Sequence, residues 1–352
     1  MRVVARPAFK NAARQPYNAR LYGALRELGT EVVEYGARAL LAQRCDVVHV
    51  HWPESLLETS SRARAGLSAR YQLALIDLAR RRGAKLVWTA HELKPHDLVF
   101  PELERRFHAA LLRRVDAWIA LSRTGERGVR AQHPQLAERP ACVIPLGHYR
   151  AESALPERAE ARRRLGLADD ARVLVHFGHL RPYKNVPALI RAVRSSPEPD
   201  LVLWVCGRLG KRVAVEEEIR AAAGSDPRVH LELRHVSDEE LALRVRAADL
   251  LVFPFHDVLH SSSALFGLSC DRPILVSGQG ALPELAQDVG ADWVRVYPGE
   301  LDTATLSDAL AWARGAPRGT SAPLDAFEWR GIARRTLDFY VRIVGGEVRG
   351  DP

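Results

Sequence analysis

Two segments of the sequence gather residues able to grip an anion. In FGHLRPYKN (residues 177–185), Arg181 and Lys184 stand three apart in a loop between an apolar run and the helical pattern VPALIRAVR, and Gly178 gives that loop backbone freedom. Two cations beside a helix N-terminus make a diphosphate clamp, because a guanidinium binds oxygens in pairs, an ammonium acts as a point charge, and first-turn N–H groups lack partners. In HSSSALFGLSC (residues 260–270), Ser261, Ser262 and Ser263 open a helical run and offer hydroxyls and backbone N–H groups to the same kind of ligand. Alone the serines read as an N-cap; beside Arg181 and Lys184 an anion site is the better reading. GRLGKR (residues 207–212) adds Arg208 near the diphosphate, on loop charge alone.

The first half supplies acids and histidines. VVHVHWPE (residues 47–54) and VWTAHELKPHD (residues 87–97) both end apolar runs. His49 lies inside the run and reads as a satisfied core histidine, whereas His51, Trp52 and Glu54 leave its end. Glu54, Glu92 and Asp97 are the carboxylates available to take the proton of an acceptor hydroxyl, and each also reads as a surface or capping residue. Near the N-terminus, RPAFKNAARQPYNARLYGAL (residues 6–25) places Arg6, Lys10, Asn11, Gln15, Tyr17 and Asn18 after the first apolar run. A polar, aromatic loop suits an acceptor sugar, and Pro16 with Asn18 equally marks a plain helix start.

These groups need elements to position them. Short β-rich runs alternate with helical patterns throughout: RVVARPA, EVVEYG, DVVHVHW, KLVWTAHE, AWIALS and CVIPLG, then RVLVHFGHL, LVLWVCG, VHLELRHV, LLVFPF, PILVSG and WVRVYPG. Two sets of buried parallel strands with crossover helices imply an α/β chain of two tandem, doubly wound, Rossmann-like domains. The strand-free stretch from residue 146 to 171 sets the boundary, giving one domain over 1–150 and a second over 151–325. FEWRGIARRTLDFYVRIV then carries helical periodicity, and residues 326–352 are expected to form a helix crossing back to the first domain. Ligands of open α/β sheets bind outside the carboxyl ends of the strands, so the expected site is an inter-domain cleft.

Together, FGHLRPYKNVPALI, LLVFPF…HSSSALFGLSCDRPILVS…LPEL and FEWRGIARRTLDFY resemble the donor domain of GT-B-fold glycosyltransferases, in particular the large bacterial mannosyl- and glucosyltransferase group. The resemblance implies a hexosyltransferase that uses a nucleotide-diphosphate sugar and a glycan or lipid-linked saccharide acceptor in cell-surface polysaccharide or glycoconjugate synthesis. It matches Arg181 and Lys184 to the family's basic pair and Ser261–Ser263 to its phosphate-binding helix start, and it makes His91 in TAHE similar to the histidine beside the transferred sugar. Two glutamates eight residues apart, usual in the family, align with Val258 and Phe266, which cannot bind a hydroxyl, so the donor is not carried over. A serine-rich loop is also similar to β-mannosyltransferases of this fold. An inverting enzyme needs a carboxylate base; a retaining one, which the resemblance implies, uses the departing phosphate, and the sequence leaves the stereochemistry open.

Composition trims the alternatives. Net charge is +8, which suits phosphorylated ligands or a transient anionic membrane surface, but arginines are spread along the chain without aromatic interleaving, so nucleic acid is not a partner. Only five of the 51 basic side chains are lysines, at positions 10, 85, 94, 184 and 211, which singles out Lys184. GQGALP is no dinucleotide fingerprint, HSSS lacks a hydrolase elbow, and no D-x-D or His-rich cluster indicates a metal, so no cofactor is expected beyond the donor. Cys45, Cys142, Cys206 and Cys270 are widely separated and read as free buried thiols. No apolar run reaches the ~18 residues of a membrane span and MRVVARPAFK lacks a secretory core, so a cytoplasmic place, peripheral at the inner membrane face, is expected. A GT-B-like sugar-nucleotide epimerase and a non-catalytic nucleotide- or glycan-binding protein remain as alternatives.

Overall fold

The computed structural model describes residues 1–12, 15–57, 59, 61–93, 99–150, 155–168, 170–210, 213–315 and 318–346. The chain divides into two compact units, one of Met1–Gly147 with Ala326–Pro352 and one of His148–Asp325. Each is built on a six-stranded, all-parallel sheet.

In the first unit the strands are β1 (Arg2–Arg6), β2 (Glu31–Glu34), β3 (Val47–Val50), β4 (Lys85–Ala90), β5 (Ala117–Ala120) and β6 (Ala141–Val143), in the order β2-β1-β3-β4-β5-β6. β3 and β5 are buried along their whole length, as parallel strands covered on both faces must be. In the register, His49 lies opposite Val87 and Val50 opposite Trp88. Side chains alternate along a strand, so His49 and His51 share one face with Thr89 and His91 of the next strand and its extension.

Two helices cover that face. Pro16–Glu27 starts on a proline, whose fixed φ suits the first helical position, and buries Tyr17, Asn18, Leu21, Tyr22 and Leu25. Trp329–Gly345, from the C-terminal part of the chain, buries Ile332, Ala333, Phe339, Tyr340 and Ile343 in the same core and ends on Gly346 at φ 79°.

In the second unit the strands are β7 (Arg172–Phe177), β8 (Leu201–Cys206), β9 (Val229–Glu232), β10 (Leu250–Phe253), β11 (Ile274–Ser277) and β12 (Val294–Tyr297), in the order β12-β11-β10-β7-β8-β9. β7 and β10 pair at the centre, where the strand order reverses. A switch point of this kind is where open α/β sheets bind ligands. Cys45, Cys206 and Cys270 are buried thiols, while Cys142 is only half-buried, a correction to the expectation of four buried thiols.

Candidate active site

In the second unit, the chain leaves β7 through Gly178, which has φ +112° and donates its N–H to Cys206 O at 3.0 Å. The segment that follows runs beside the end of β8, with Leu180 N–H on Arg208 O at 3.0 Å and Gly210 N–H on Leu180 O at 3.1 Å. The two backbones approach so closely that a Cβ at Gly207 would lie 1.9 Å from Gly178 O. A 3-10 turn, Pro182–Lys184, and Asn185 at φ 51° then deliver the chain into helix Val186–Arg194.

This route brings together the two segments that the sequence marks as an anion clamp. A Cβ at Gly178 would lie 2.6 Å from Lys184 Nζ and 2.7 Å from Ser263 Oγ, so the glycine leaves the ammonium and the hydroxyl flanking one small opening. Lys184 is only 5% exposed, and its Nζ sits 5.1 Å from the centroid of the Phe255 ring just after β10. Burial, and after it the positive charge of Arg181, holds its pKa down to about 7. Among the described residues no carboxylate pairs with it. A desolvated ammonium without a counter-ion is costly, and a bound anion would relieve that cost.

The serines divide their roles. Ser261 is the N-cap of helix Ser262–Ser269, its Oγ accepting from Ala264 N–H at 3.1 Å. Ser262 and Ser263 form the first turn, whose N–H groups have no intrahelical acceptor. Arg181 is half-buried and Arg208 exposed, whereas Lys211 and Arg212 lie outside the described residues. Phe266 packs edge-on against Phe177 at 5.5 Å and meets Tyr149 at 6.2 Å, which gives an apolar role to one position where a carboxylate would align; Val258, the other, is half-buried.

His176 on β7 was not singled out by the sequence. It is fully buried, donates Nδ1–H to Val252 O at 2.8 Å, and has no partner for Nε2 among the described residues. Burial, then the charge of Lys184, lowers its pKa to about 3, so it stays neutral beside the lysine.

In the first unit, His91 lies just beyond β4 and is buried, with Trp52 stacked on it at 4.1 Å and Tyr17 meeting it edge-on at 5.2 Å. Its Nε2 is 2.9 Å from His51 Nδ1, and His51 Nε2 is 2.6 Å from Tyr22 Oη. Glu54, in the 3-10 turn Pro53–Leu57, and Glu92 are half-buried; Asp97 lies outside the described residues.

Three of the expected acceptor contacts differ in setting. Tyr17, Asn18 and His51 are buried: the helix Pro16–Glu27 turns Tyr17 and Asn18 inward, while His51 follows β3 on the face this helix covers, and His51 and Tyr17 both contact the His91 ring. Trp52 remains half-exposed. Asn18 is 0% exposed, and neither of its amide atoms has a hydrogen-bond partner among the described residues. His49 is the satisfied core histidine expected of it, bonded to Tyr22, Tyr340 and Thr89. Tyr22, Thr89 and Tyr340 were missed, although HVH and TAH in neighbouring strands carry a period-two signal of polar side chains on one face.

Residues 157–296 match the family described as glycosyl transferases group 1. The chain is 32% identical over 342 residues to a GDP-mannose:glycolipid 4-beta-D-mannosyltransferase of Xanthomonas campestris pv. campestris, covering 95% of this chain and 90% of the relative. It is 28% identical over 225 residues to a D-inositol 3-phosphate glycosyltransferase of a Nocardioides species, covering 56% of this chain and 47% of that one. Among solved structures, sucrose-phosphate synthase from Thermosynechococcus elongatus superposes with a TM-score of 0.71 at 17% identity, covering 98% of this chain and 99% of that one. Anabaena HepE, in complex with UDP and glucose, superposes at 0.65 with 15% identity and 98% coverage of both chains.

Proposed function

Because the chain belongs to the group 1 glycosyltransferases, we propose that it moves a hexosyl unit from a nucleotide-diphosphate sugar to a lipid-linked acceptor, and specifically that it carries mannose from GDP-mannose to a glycolipid as a β-mannoside. The match to a relative of that name over 95% of the chain supports the choice of donor. The observation that carries the chemistry is Lys184, a buried ammonium without a carboxylate partner among the described residues, set beside Ser263 over Gly178.

GDP-mannose is an α-glycosyl diphosphate, so a β product forms with inversion. The acceptor oxygen attacks C1 from the face opposite the diphosphate, the bond from C1 to the phosphate oxygen breaks, and its electron pair leaves on GDP. Lys184, Arg181 and the first-turn N–H groups of Ser262 and Ser263 would stabilise the charge that develops there. The acceptor proton passes to a carboxylate, for which Glu92, next to His91 in sequence, and Glu54, in the same unit, are candidates with Asp97 the third. With protein cations in this role the reaction needs no metal and no cofactor beyond the donor.

A glycolipid acceptor requires an approach to the lipid surface. No helix among the described residues is long and apolar enough to cross a membrane. The helix Arg62–Arg81 instead exposes Leu67 (66%), Tyr71 (53%) and Leu78 (36%) along one side, with exposed Arg62, Arg64, Arg70 and Arg81 beside them. Apolar side chains flanked by arginines suit the interface of an anionic leaflet, and this face is our candidate for a peripheral contact.

Transfer assays with GDP-mannose, UDP-glucose, ADP-glucose and dTDP-glucose, with lipid-linked saccharides present or absent and with or without chelator, test the reading. Mannosyl transfer from GDP-mannose, unaffected by chelator and giving a β linkage by NMR, is expected. A uridine donor preference would overturn the donor assignment, and acceptor-independent conversion of the donor sugar would point to epimerase chemistry.

A further inference from the structure

At the end of the second sheet opposite the loop that carries Lys184, a pocket of about 360 Å³ opens among four arginines, Arg158, Arg272, Arg314 and Arg318. Two more of its lining residues, Asp249 and Trp293, immediately precede β10 and β12, so the pocket lies at the amino ends of the strands, whereas Gly178 follows the carboxyl end of β7. The six residues of β7 keep the two places about 20 Å apart.

The charges around this pocket do not balance. Four arginines are set against two aspartates, Asp249 and Asp271, and both aspartates are already committed. Asp249 pairs with Arg158, lies 3.6 Å from Arg162, and accepts from Val173 N–H at 2.8 Å. Asp271 accepts from Arg150 at 3.1 Å, from Ser321 Oγ–H at 3.1 Å and from Ala322 N–H at 2.9 Å. Arg318 turns its N–H groups to the carbonyls of Asp292, Trp312 and Ala313 and lies over the Trp312 ring at 5.2 Å, so it contributes charge rather than free donors. Arg272 is the exception. Its Nε is buried without a partner, and its one hydrogen bond among the described residues, Nη1–H on Ala248 O at 3.5 Å, is longer than a normal N–H···O bond. Burial, and after it the charges of Arg246 and Arg158, pulls its pKa down to about 10, so it stays charged at neutral pH in surroundings that penalise charge. Arg314, exposed in the last turn of the helix Thr303–Gly315, has no ion pair among the described residues.

We infer that this pocket is a second anion site, which takes the phosphate group of a small soluble ligand on Arg272 and Arg314, apart from the sugar-nucleotide clamp. The surplus of positive charge matches a phosphate monoester, which carries about 1.5 to 2 negative charges at pH 7, and a guanidinium can meet two of its oxygens at once. A monovalent carboxylate would leave one cation unmatched. The exposed large apolar side chains, among them Leu67, Tyr71 and Val341, all belong to the other unit, so no such side chain beside the pocket would enter a bilayer and a lipid headgroup is the poorer fit. The volume lies at the lower end of the range for small-molecule sites. None of this rests on the assignment of the donor or the reaction.

Calorimetric titration of the full chain with inorganic phosphate and with mannose 6-phosphate, at constant ionic strength, tests the site. Saturable binding with a dissociation constant near or below about 1 mM is expected. Phosphate can also enter beside Lys184, so Lys184→Ala serves as a background in which binding should persist. Arg272→Gln should weaken it by about 10- to 100-fold, the range for a charge-assisted hydrogen bond. Arg314→Ser, on an exposed residue that folding does not need, should weaken it by about fivefold. A cooperative thermal transition in each variant shows that it is folded. Binding lost in Lys184→Ala but kept in both arginine variants would place the anion at the clamp and overturn the second site. No binding of either probe up to about 10 mM in the unsubstituted protein would overturn it too. Tighter binding of mannose 6-phosphate supports an organic phosphate as the ligand, and equal affinity supports phosphate itself. Sedimentation with phosphatidic acid vesicles that depends on Arg272, without binding of either soluble probe, would overturn the soluble class and make the ligand a membrane headgroup. A protein that binds phosphate here but transfers no mannose would keep this site and lose the donor assignment.

Discussion

Lys184 and His51 occupy comparable places in the two units, each buried just beyond the end of a central parallel strand, and they meet burial in opposite ways. Around Lys184 the protein supplies a cation, a second cation at Arg181, a hydroxyl and a neutral histidine, but no carboxylate partner for the lysine among the described residues. Around His51 every polar atom is engaged: Tyr22 on one ring nitrogen, His91 on the other. Charge left without its opposite marks where a ligand completes the structure. A neutral chain that completes itself holds its side chains in place before any ligand arrives.

The comparison requires the two regions to fail differently. His91→Ala should lower turnover by about 10²-fold, the scale for loss of one donor in a preorganised site, while GDP affinity measured by calorimetry stays within about twofold. Equal losses in both would break the division between the regions. Lys184→Ala should weaken GDP-mannose binding by about 10- to 100-fold, the range for a charge-assisted hydrogen bond. Gly178→Ala should act in the same direction, because the added methyl would sit 2.6 Å from Lys184 Nζ on a backbone at φ +112° that only glycine adopts readily. Undiminished affinity in both variants would remove the clamp.

A titration sharpens the contrast. Lys184, held down to about 7 in the free protein, is already charged at lower pH, so affinity for GDP-mannose should be flat there. Bound diphosphate raises the lysine pKa, so above about 7 binding must take up a proton, and affinity should fall by up to tenfold per pH unit until the raised value is reached. GDP-mannose has no titrating phosphate oxygen in this window. Lys184→Ala should flatten the profile, and a profile that slopes equally in the variant would assign the effect to another group.

Much of this was legible in the sequence, for reasons that differ by region. The twelve strands announce themselves as apolar runs bounded by turns, and a parallel sheet covered on both faces needs such runs. Arg181, Lys184 and the serines were legible because strand-to-helix turns have a fixed geometry, so type and spacing carry the placement. The hydrogen-bond chain was not, because Tyr340 meets His49 across 291 residues and only tertiary packing of the helix Trp329–Gly345 closes that distance. The same packing buries Tyr17 and Asn18: a proline-started helix was readable at Pro16, but which of its sides faces the sheet depends on the neighbour that covers it.

The smallest expected effect tests whether charge without a protein counter-ion marks a contact on the surface as it does at Lys184. On the helix Arg62–Arg81, Arg80 is neutralised by Asp116 at 2.8 Å, whereas Arg64 and Arg70 are exposed and have no carboxylate partner among the described residues. A cation near an anionic leaflet contributes on the order of 1 kcal/mol, so Arg64→Ser and Arg70→Ser should each reduce sedimentation with phosphatidylglycerol-containing vesicles by about fivefold at low salt, with little change on neutral vesicles. Leu67→Ser should weaken binding to both kinds of vesicle, since it removes apolar area and leaves the charge intact. Arg80→Ser should leave vesicle binding unchanged, its charge being already spent on Asp116. If Arg80→Ser weakened binding as much as Arg64→Ser, net charge alone would govern the attraction, and an unpaired cation would mark a site only where it is buried.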